Sequence, residues 1–175
     1  MSDRAFDSLS PPMPGTLEAI HVFRERRGPP ILLAEAVFVA GRGVPTDQRD
    51  RPGVPRPVSA IRAETIDHVA RALGIAIAPG SSRRNLTIRA LDLDTLPRGT
   101  VLSIGEARFE VIAPCDACVR MESALGPGAP AHMQGRGGIA LTIVQGGRVA
   151  CGDVVEVAVL GTVPLYEPRE RPRGW

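Results

Sequence analysis

Residues 101–113 read VLSIGEARFEVIA, and residues 114–118 continue PCDAC. Val101 to Ile104 and Arg108 to Ala113 are β-like runs, and Gly105-Glu106 between them is a turn signal. The stretch predicts a β-hairpin that leads into the pair Cys115-Asp116-Ala117-Cys118. That pair opens a short helix over Ala117 to Leu125, closed by Gly126-Pro127-Gly128.

Outward from this hairpin, the same punctuation by glycine and proline recurs. On the N-terminal side Leu17 to Phe23 and Ile31 to Ala40 are strand-like, the second ending at Gly41-Arg42-Gly43. Pro52 to Pro57 is a loop, Val58 to Arg62 a strand, and Asn85 to Ala90 another. Between them Ala63 to Leu73 repeats Ile66, Val69, Ala70 and Leu73 at three and four, which predicts a helix stopped by Gly74. On the C-terminal side Ile139 to Gln145 and Val154 to Leu160 are strong strands. Gly146-Gly147 turns the first of them into a short run from Arg148 to Cys151.

Seven or eight strands with two or three short helices do not alternate as βαβα units. The expectation is a mainly β fold, a closed or nearly closed barrel, because closure removes exposed sheet edges. Residues 1–15 read as a flexible lead-in, 16–162 as the domain, and 163–175 as a proline- and arginine-rich tail.

Composition narrows the function. The formal charge is +2, and acidic residues interrupt most basic ones, so no phosphate-tracking stripe stands out. Only six aromatics are present, few for base stacking, so nucleic acid is not an expected partner. No run reaches the roughly 18 to 20 apolar residues of a membrane helix, and no signal peptide is legible, so no membrane association and a cytoplasmic location are expected. All 21 basic residues are arginine. Without lysine the chain has no amine for a pyridoxal-phosphate Schiff base.

Cys118 is the first candidate for chemistry. A cysteine at a helix start, near Arg120, is favoured as thiolate, and so as nucleophile or soft-metal ligand. Three other readings stay open for the Cys115 and Cys118 pair: a zinc site completed by Cys151 or histidines, a redox dithiol, and inert buried thiols. Ser82-Arg83-Arg84-Asn85-Leu86 is the second candidate. Guanidinium forks beside an amide suit an oxyanion or phosphate, although solvated loop arginines have the same composition. Gly135-Arg136-Gly137-Gly138 is the third: glycines admit a ligand close to backbone, and they also simply make turns. His132 is a candidate acid or base of the ordinary surface kind.

Read in order, these pieces resemble the MOSC family, the C-terminal domain of molybdenum-cofactor sulfurases. Gly41 to Asp47 is similar to its early loop ending in aspartate, and Arg83-Arg84-Asn85 to its arginine-any-asparagine motif. Gly99 to Val111 resembles its hairpin, Pro114 to Met121 its cysteine segment, and Gly135 to Gly138 its C-terminal glycine loop. The similarity spans roughly residues 16 to 160.

The resemblance implies a β-barrel of the pyruvate-kinase barrel type that handles sulfur or the molybdenum cofactor. By position, Cys118 would be the sulfur carrier or the molybdenum ligand. Arg83, Asn85 and Asp47 would line the cofactor pocket, joined by Arg136 and Gly137 from the glycine loop. A cysteine desulfurase is the partner expected of a carrier. An electron-transfer protein is the partner expected of a molybdenum-dependent reductase of N-hydroxylated compounds. A third alternative is a non-catalytic interaction module.

Overall fold

The computed structural model describes residues 11–117 and 119–166. The hairpin at 101–114 forms as its sequence predicts: β6 (Val101–Ile104) pairs antiparallel with β7 (Ala107–Pro114). Ala107, Phe109, Val111 and Ala113 turn inward on alternate positions, and Arg108 turns out. Gly105 makes the turn at φ +54°. A Cβ there would stand 2.6 Å from both the Arg148 carbonyl and an Asp153 carboxylate oxygen.

Five further strands extend this hairpin into a closed barrel. They are β1 (Gly15–Val22), β4 (Val58–Arg62), β5 (Leu86–Arg89), β8 (Ile139–Gln145) and β10 (Val154–Val159). The order runs β10, β6, β7, β8, β4, β5, β1, and β1 pairs back to β10 at Gly15 and Thr16. The two uses of β1 explain how the barrel closes. Its first residues meet β10, and its last meet β2 (Ile31–Leu33), an eighth strand outside the ring.

Among the described residues only β4 and β5 run parallel, and the crossover between them contains α1 (Ala63–Leu73). Gly74 ends that helix at φ +64°, donating back to the Arg71 carbonyl.

Leu17, Ile20, Ile88, Leu102, Ile104, Phe109, Leu141 and Val155 fill the barrel with no exposed surface. Each contributes about 1.5–3 kcal/mol by leaving water. The segment Ile31 to Ala40, expected as one strand, is two. It breaks at Ala34, and β3 (Glu35–Phe38) leaves to pair with β9 (Gly147–Ala150) as a separate ribbon. The break lets Phe38 reach the barrel core, where its ring meets Phe109 edge to face at 5.0 Å.

Two more helices follow the cysteine segment, α2 (Val119–Leu125) and the single turn α3 (Ala129–His132). Met121, Leu125, Ala129 and Met133 pack with Val69 and Ile61 in a second apolar cluster under α1. Among the described residues no helix is long and apolar enough to cross a membrane. Past β10, the Val163 carbonyl accepts from Arg98 N–H at 2.7 Å, and Leu165 is buried.

Candidate functional site

Arg83 and Asn85 enter β5 at one end of the barrel, where the loop that follows Gly43 also arrives. The Asn85 side chain, 1 % exposed, is consumed internally. Its carbonyl accepts from the Ser59 N–H at 3.1 Å, and its amide donates to the His21 carbonyl and to Asp47 Oδ2, each at 3.1 Å. Asp47 is likewise buried. It also accepts from Phe23 N–H at 3.0 Å and Arg49 N–H at 2.9 Å. Asn85 and Asp47 thus pin four chain segments together, at residues 21–23, 47–49, 59 and 85, with their polar atoms turned toward one another.

Backbone conformation marks the same place. Thr46 (φ 74°) and Arg83 (φ 56°) are two of three non-glycine residues with left-handed φ among the described residues. Such residues cost of order 1 kcal/mol or more and persist where the surroundings fix them. Here Asp47 and Asn85 do the fixing, one or two residues further along the chain.

Arg83 lies over the Phe23 ring, its guanidinium carbon 4.4 Å from the centroid. One terminal nitrogen donates to the Gly28 carbonyl at 2.8 Å and the other to the Arg26 carbonyl at 3.0 Å. Arg83 therefore holds the loop at residues 24–28 against the barrel and still faces the space in front of it. Arg84 lines the same space, and its Nε donates to the Gly137 carbonyl at 2.9 Å.

That space is a cavity of about 490 Å³. Arg26, Arg49, Arg51, Arg83, Arg84 and Arg120 all line it, and among the described residues the sole acid on its wall is Asp47. Burial and then the charges of Arg49 and Arg120 lower the pKa of Arg83, with Asp47 pulling it back. Among the described residues no carboxylate stands within ion-pairing distance of Arg26, Arg49, Arg51 or Arg120. The result is a concave positive field that an anion would relieve.

The cysteine segment runs beside it. Cys115, half-buried, donates its N–H to the Gly138 carbonyl at 2.8 Å. Its side chain lines an adjoining cavity of about 450 Å³ with Arg49, Arg51, Arg56 and Arg84. Cys118 lies outside the described residues. The helix it was expected to open begins at Val119, and Arg120 and Met121 from that helix face the main cavity.

Gly137 is where the glycine loop meets this segment: a Cβ there would fall 2.0 Å from the Cys115 carbonyl. Its neighbour Arg136 goes elsewhere. It lines a separate cleft with Arg62, His68 and Asp94. The structure thus brings Asp47, Arg83 and Asn85 to one place, ties Gly137 to it through the Arg84 hydrogen bond, and leaves Arg136 out of it. His132 pairs with His68, ring centroids 5.9 Å apart, away from the arginine cavity. Among the described residues no three His, Cys, Asp or Glu side chains gather to hold a metal ion.

Sequence reasoning missed Arg26, Arg49 and Arg51. The signal was present in RERR at 24–27 and DQRDR at 47–51, but the interleaved acids hid it. Folding separates the charges: Asp50 pairs outward with Arg42 at 3.1 Å, while Arg49 and Arg51 turn to the cavity.

The MOSC domain family matches residues 47–156. No curated protein matches the chain. Among solved structures it is similar to the YuaD protein of Bacillus subtilis, with a TM-score of 0.72 and 20% identity over 82% of this chain and 95% of that one. It is similar also to YiiM of Geobacillus stearothermophilus (TM-score 0.69, 16% identity, 86% and 80% covered). YiiM of Escherichia coli gives a TM-score of 0.67 at 20% identity, with 88% and 74% covered. At such identities the likeness is one of fold. The family match covers the Asp47 loop, the arginine motif, the hairpin and the cysteine segment in one span, and the chain belongs to the MOSC domain family, which is associated with the molybdenum cofactor.

Proposed function

We propose that this protein handles the molybdenum cofactor or its sulfur, with the arginine-lined cavity holding the anionic part and Cys118 presenting a thiolate to it. The observation that carries the reading is the convergence of six arginines on one cavity whose sole acid among the described residues, Asp47, already accepts three internal hydrogen bonds. Guanidinium donors suit phosphate and oxo groups, and several can act on one anion. The residues fit an anionic pterin in kind and in room. Arg49, Arg51, Arg84 and Arg120 would hold its charge, Arg83 would shape the wall, and Asn85 would keep Asp47 and the early loop in place. When bound, such a cofactor supplies two-electron metal chemistry, for which a soft thiolate is a suitable ligand.

As a sulfur carrier, Cys118 thiolate would attack the terminal sulfur of a persulfide on a partner desulfurase. A new S–S bond forms on Cys118, the partner's S–S bond breaks, and the partner leaves as thiolate. Arg120, two residues further along the chain, would favour the attacking thiolate. No pyridoxal Schiff base is needed on this chain, which has no lysine.

Anaerobic intact-mass analysis after incubation with a cysteine desulfurase and free cysteine tests the carrier. A one-sulfur gain lost in Cys118→Ser is expected, and a gain confined to Cys115 or Cys151 would refute it. Metal analysis of protein made with and without pterin biosynthesis tests the ligand role. Stoichiometric molybdenum that disappears in Cys118→Ser would make the protein a metal-binding member, and an electron-transfer partner would then be required for reductase activity. If Cys118→Ser changes neither sulfur nor molybdenum content, the barrel is an interaction module.

A further inference from the structure

We infer that the anion taken up here carries two linked phosphates, the second seated in a neighbouring cavity walled by Arg26, Arg27 and Arg120. This deepens the reading above and rests on it. The positive surface does not end where one phosphate would. Beyond Arg83 and Arg120 the space continues into a cavity of about 330 Å³, and Arg26, Arg83 and Arg120 belong to both. Arg27, Ser123 and Ala124 complete the second cavity, and among the described residues no acid lines it.

The opposite flank differs in character. The cavity that holds Cys115 shares Arg49, Arg51 and Arg84 with the centre, but its floor is Val54, Pro55, Val58 and Ala140. An apolar floor beside a thiol suits a ring system. The guanidinium heads on the Arg27 side suit further negative charge. The three cavities therefore run in a definite order, from the apolar flank through the arginine centre to the Arg27 flank.

Charge balance points the same way. A single phosphate dianion is satisfied by two or three guanidinium forks, since each delivers paired donors. Arg26, Arg49, Arg51 and Arg120, which meet no carboxylate among the described residues, already exceed that, and Arg27 adds to the excess on the outer side. A diphosphate places its two groups in adjoining cavities with Arg83 and Arg120 between them. An acidic protein surface is the weaker fit, because these are concave cavities rather than a flat patch.

Calorimetric titration of the full chain with inorganic phosphate and with pyrophosphate, at physiological ionic strength, tests this. Pyrophosphate is expected to bind more tightly by about tenfold or more, or about 1.4 kcal/mol. Arg27→Ala should remove most of that advantage and leave phosphate affinity unchanged. Arg56→Ala, on the opposite flank, should alter neither. Both side chains are exposed, so neither substitution threatens the core. Equal affinity for the two anions, or equal losses in Arg27→Ala and Arg56→Ala, would overturn the proposal and indicate diffuse charge. The titration reads neither sulfur nor molybdenum, so its failure is separate from failure of the Cys118 tests.

Discussion

Asp47 Oδ2 accepts a hydrogen bond from Asn85 Nδ2 at 3.1 Å, joining two loops that lie 38 residues apart in the chain. Both side chains are buried, and each spends its remaining polar atoms on backbone groups or on Ser59. Asn85→Ala would leave the Ser59 N–H and an Asp47 oxygen short of partners. A loss of about 3 kcal/mol is expected, since each buried unsatisfied group costs about 1–3 kcal/mol. Asn85→Asp should be worse, because it sets a second carboxylate against Asp47. Urea denaturation checks both, and a loss below about 1 kcal/mol for the alanine variant would mean the network is not holding the loops.

Gly137 separates the glycine loop from the cysteine segment by less than a methyl group. With a Cβ 2.0 Å from the Cys115 carbonyl and 2.9 Å from Ala117 N, Gly137→Ala must displace residues 115–117 or unfold the loop. We expect a change in the alkylation rate of Cys115 by about an order of magnitude, with stability falling by about 3 kcal/mol. Gly135→Ala is the contrast. It meets nothing within 4 Å and strains only its own φ of +70°, costing about 1 kcal/mol. Equal effects from the two would refute the contact.

Asp94 gives the fold a pH dependence of unusual sign. Burial raises its pKa to about 6, opposed by Arg62. Arg62 at 3.9 Å, the charge of Arg136 and the Gly138 N–H offset the burial only in part, and the side chain is 10% exposed. Between the unfolded value of 3.8 and about 6 the folded state holds the extra proton, so this group's contribution to stability is present below pH 4 and is lost as pH rises through 6. Asp94→Asn should therefore stabilise the protein at pH 7 by about 1–2 kcal/mol and leave it unchanged near pH 4. Thermal melts at the two pH values decide. A variant destabilised at pH 7 would show that the charged form is needed.

Arg83 uses three of its five donors on carbonyls of Glu25, Arg26 and Gly28. A lysine cannot reproduce that fork. Arg83→Lys should raise amide exchange in residues 24–28 by several-fold, with a stability loss of about 1 kcal/mol, while exchange in β6 and β7 stays unchanged. Unaltered exchange at 24–28 would show that the loop is held by other contacts.

Much of the fold was legible because strands and turns are written locally. Alternation through Arg108 to Ala113, the Gly105 turn and the Gly74 stop each depend on neighbours in sequence, and each appears where expected. The split at Ala34 was not legible. Nothing local distinguishes Ile31 to Ala40 from one strand, and the break exists because Phe38 is needed against Phe109. The single turn of α3 was missed for a similar reason: Pro130 and two glycines before it read as loop, and its helical form depends on packing under α1.

The sequence by itself determined a barrel of short strands, a chain without lysine, and a cysteine pair placed after the hairpin. Those follow from side-chain period, turn chemistry and composition, which act over a few residues. Only the tertiary structure decided that Asn85 faces inward to Asp47, that Arg136 serves another cleft, and that arginines from residues 26, 49, 51 and 120 share one cavity. Charge along the chain averages nearly to zero. Folding sorts it in space, and long-range burial, which no local pattern encodes, chooses which arginines keep a carboxylate and which await an anion.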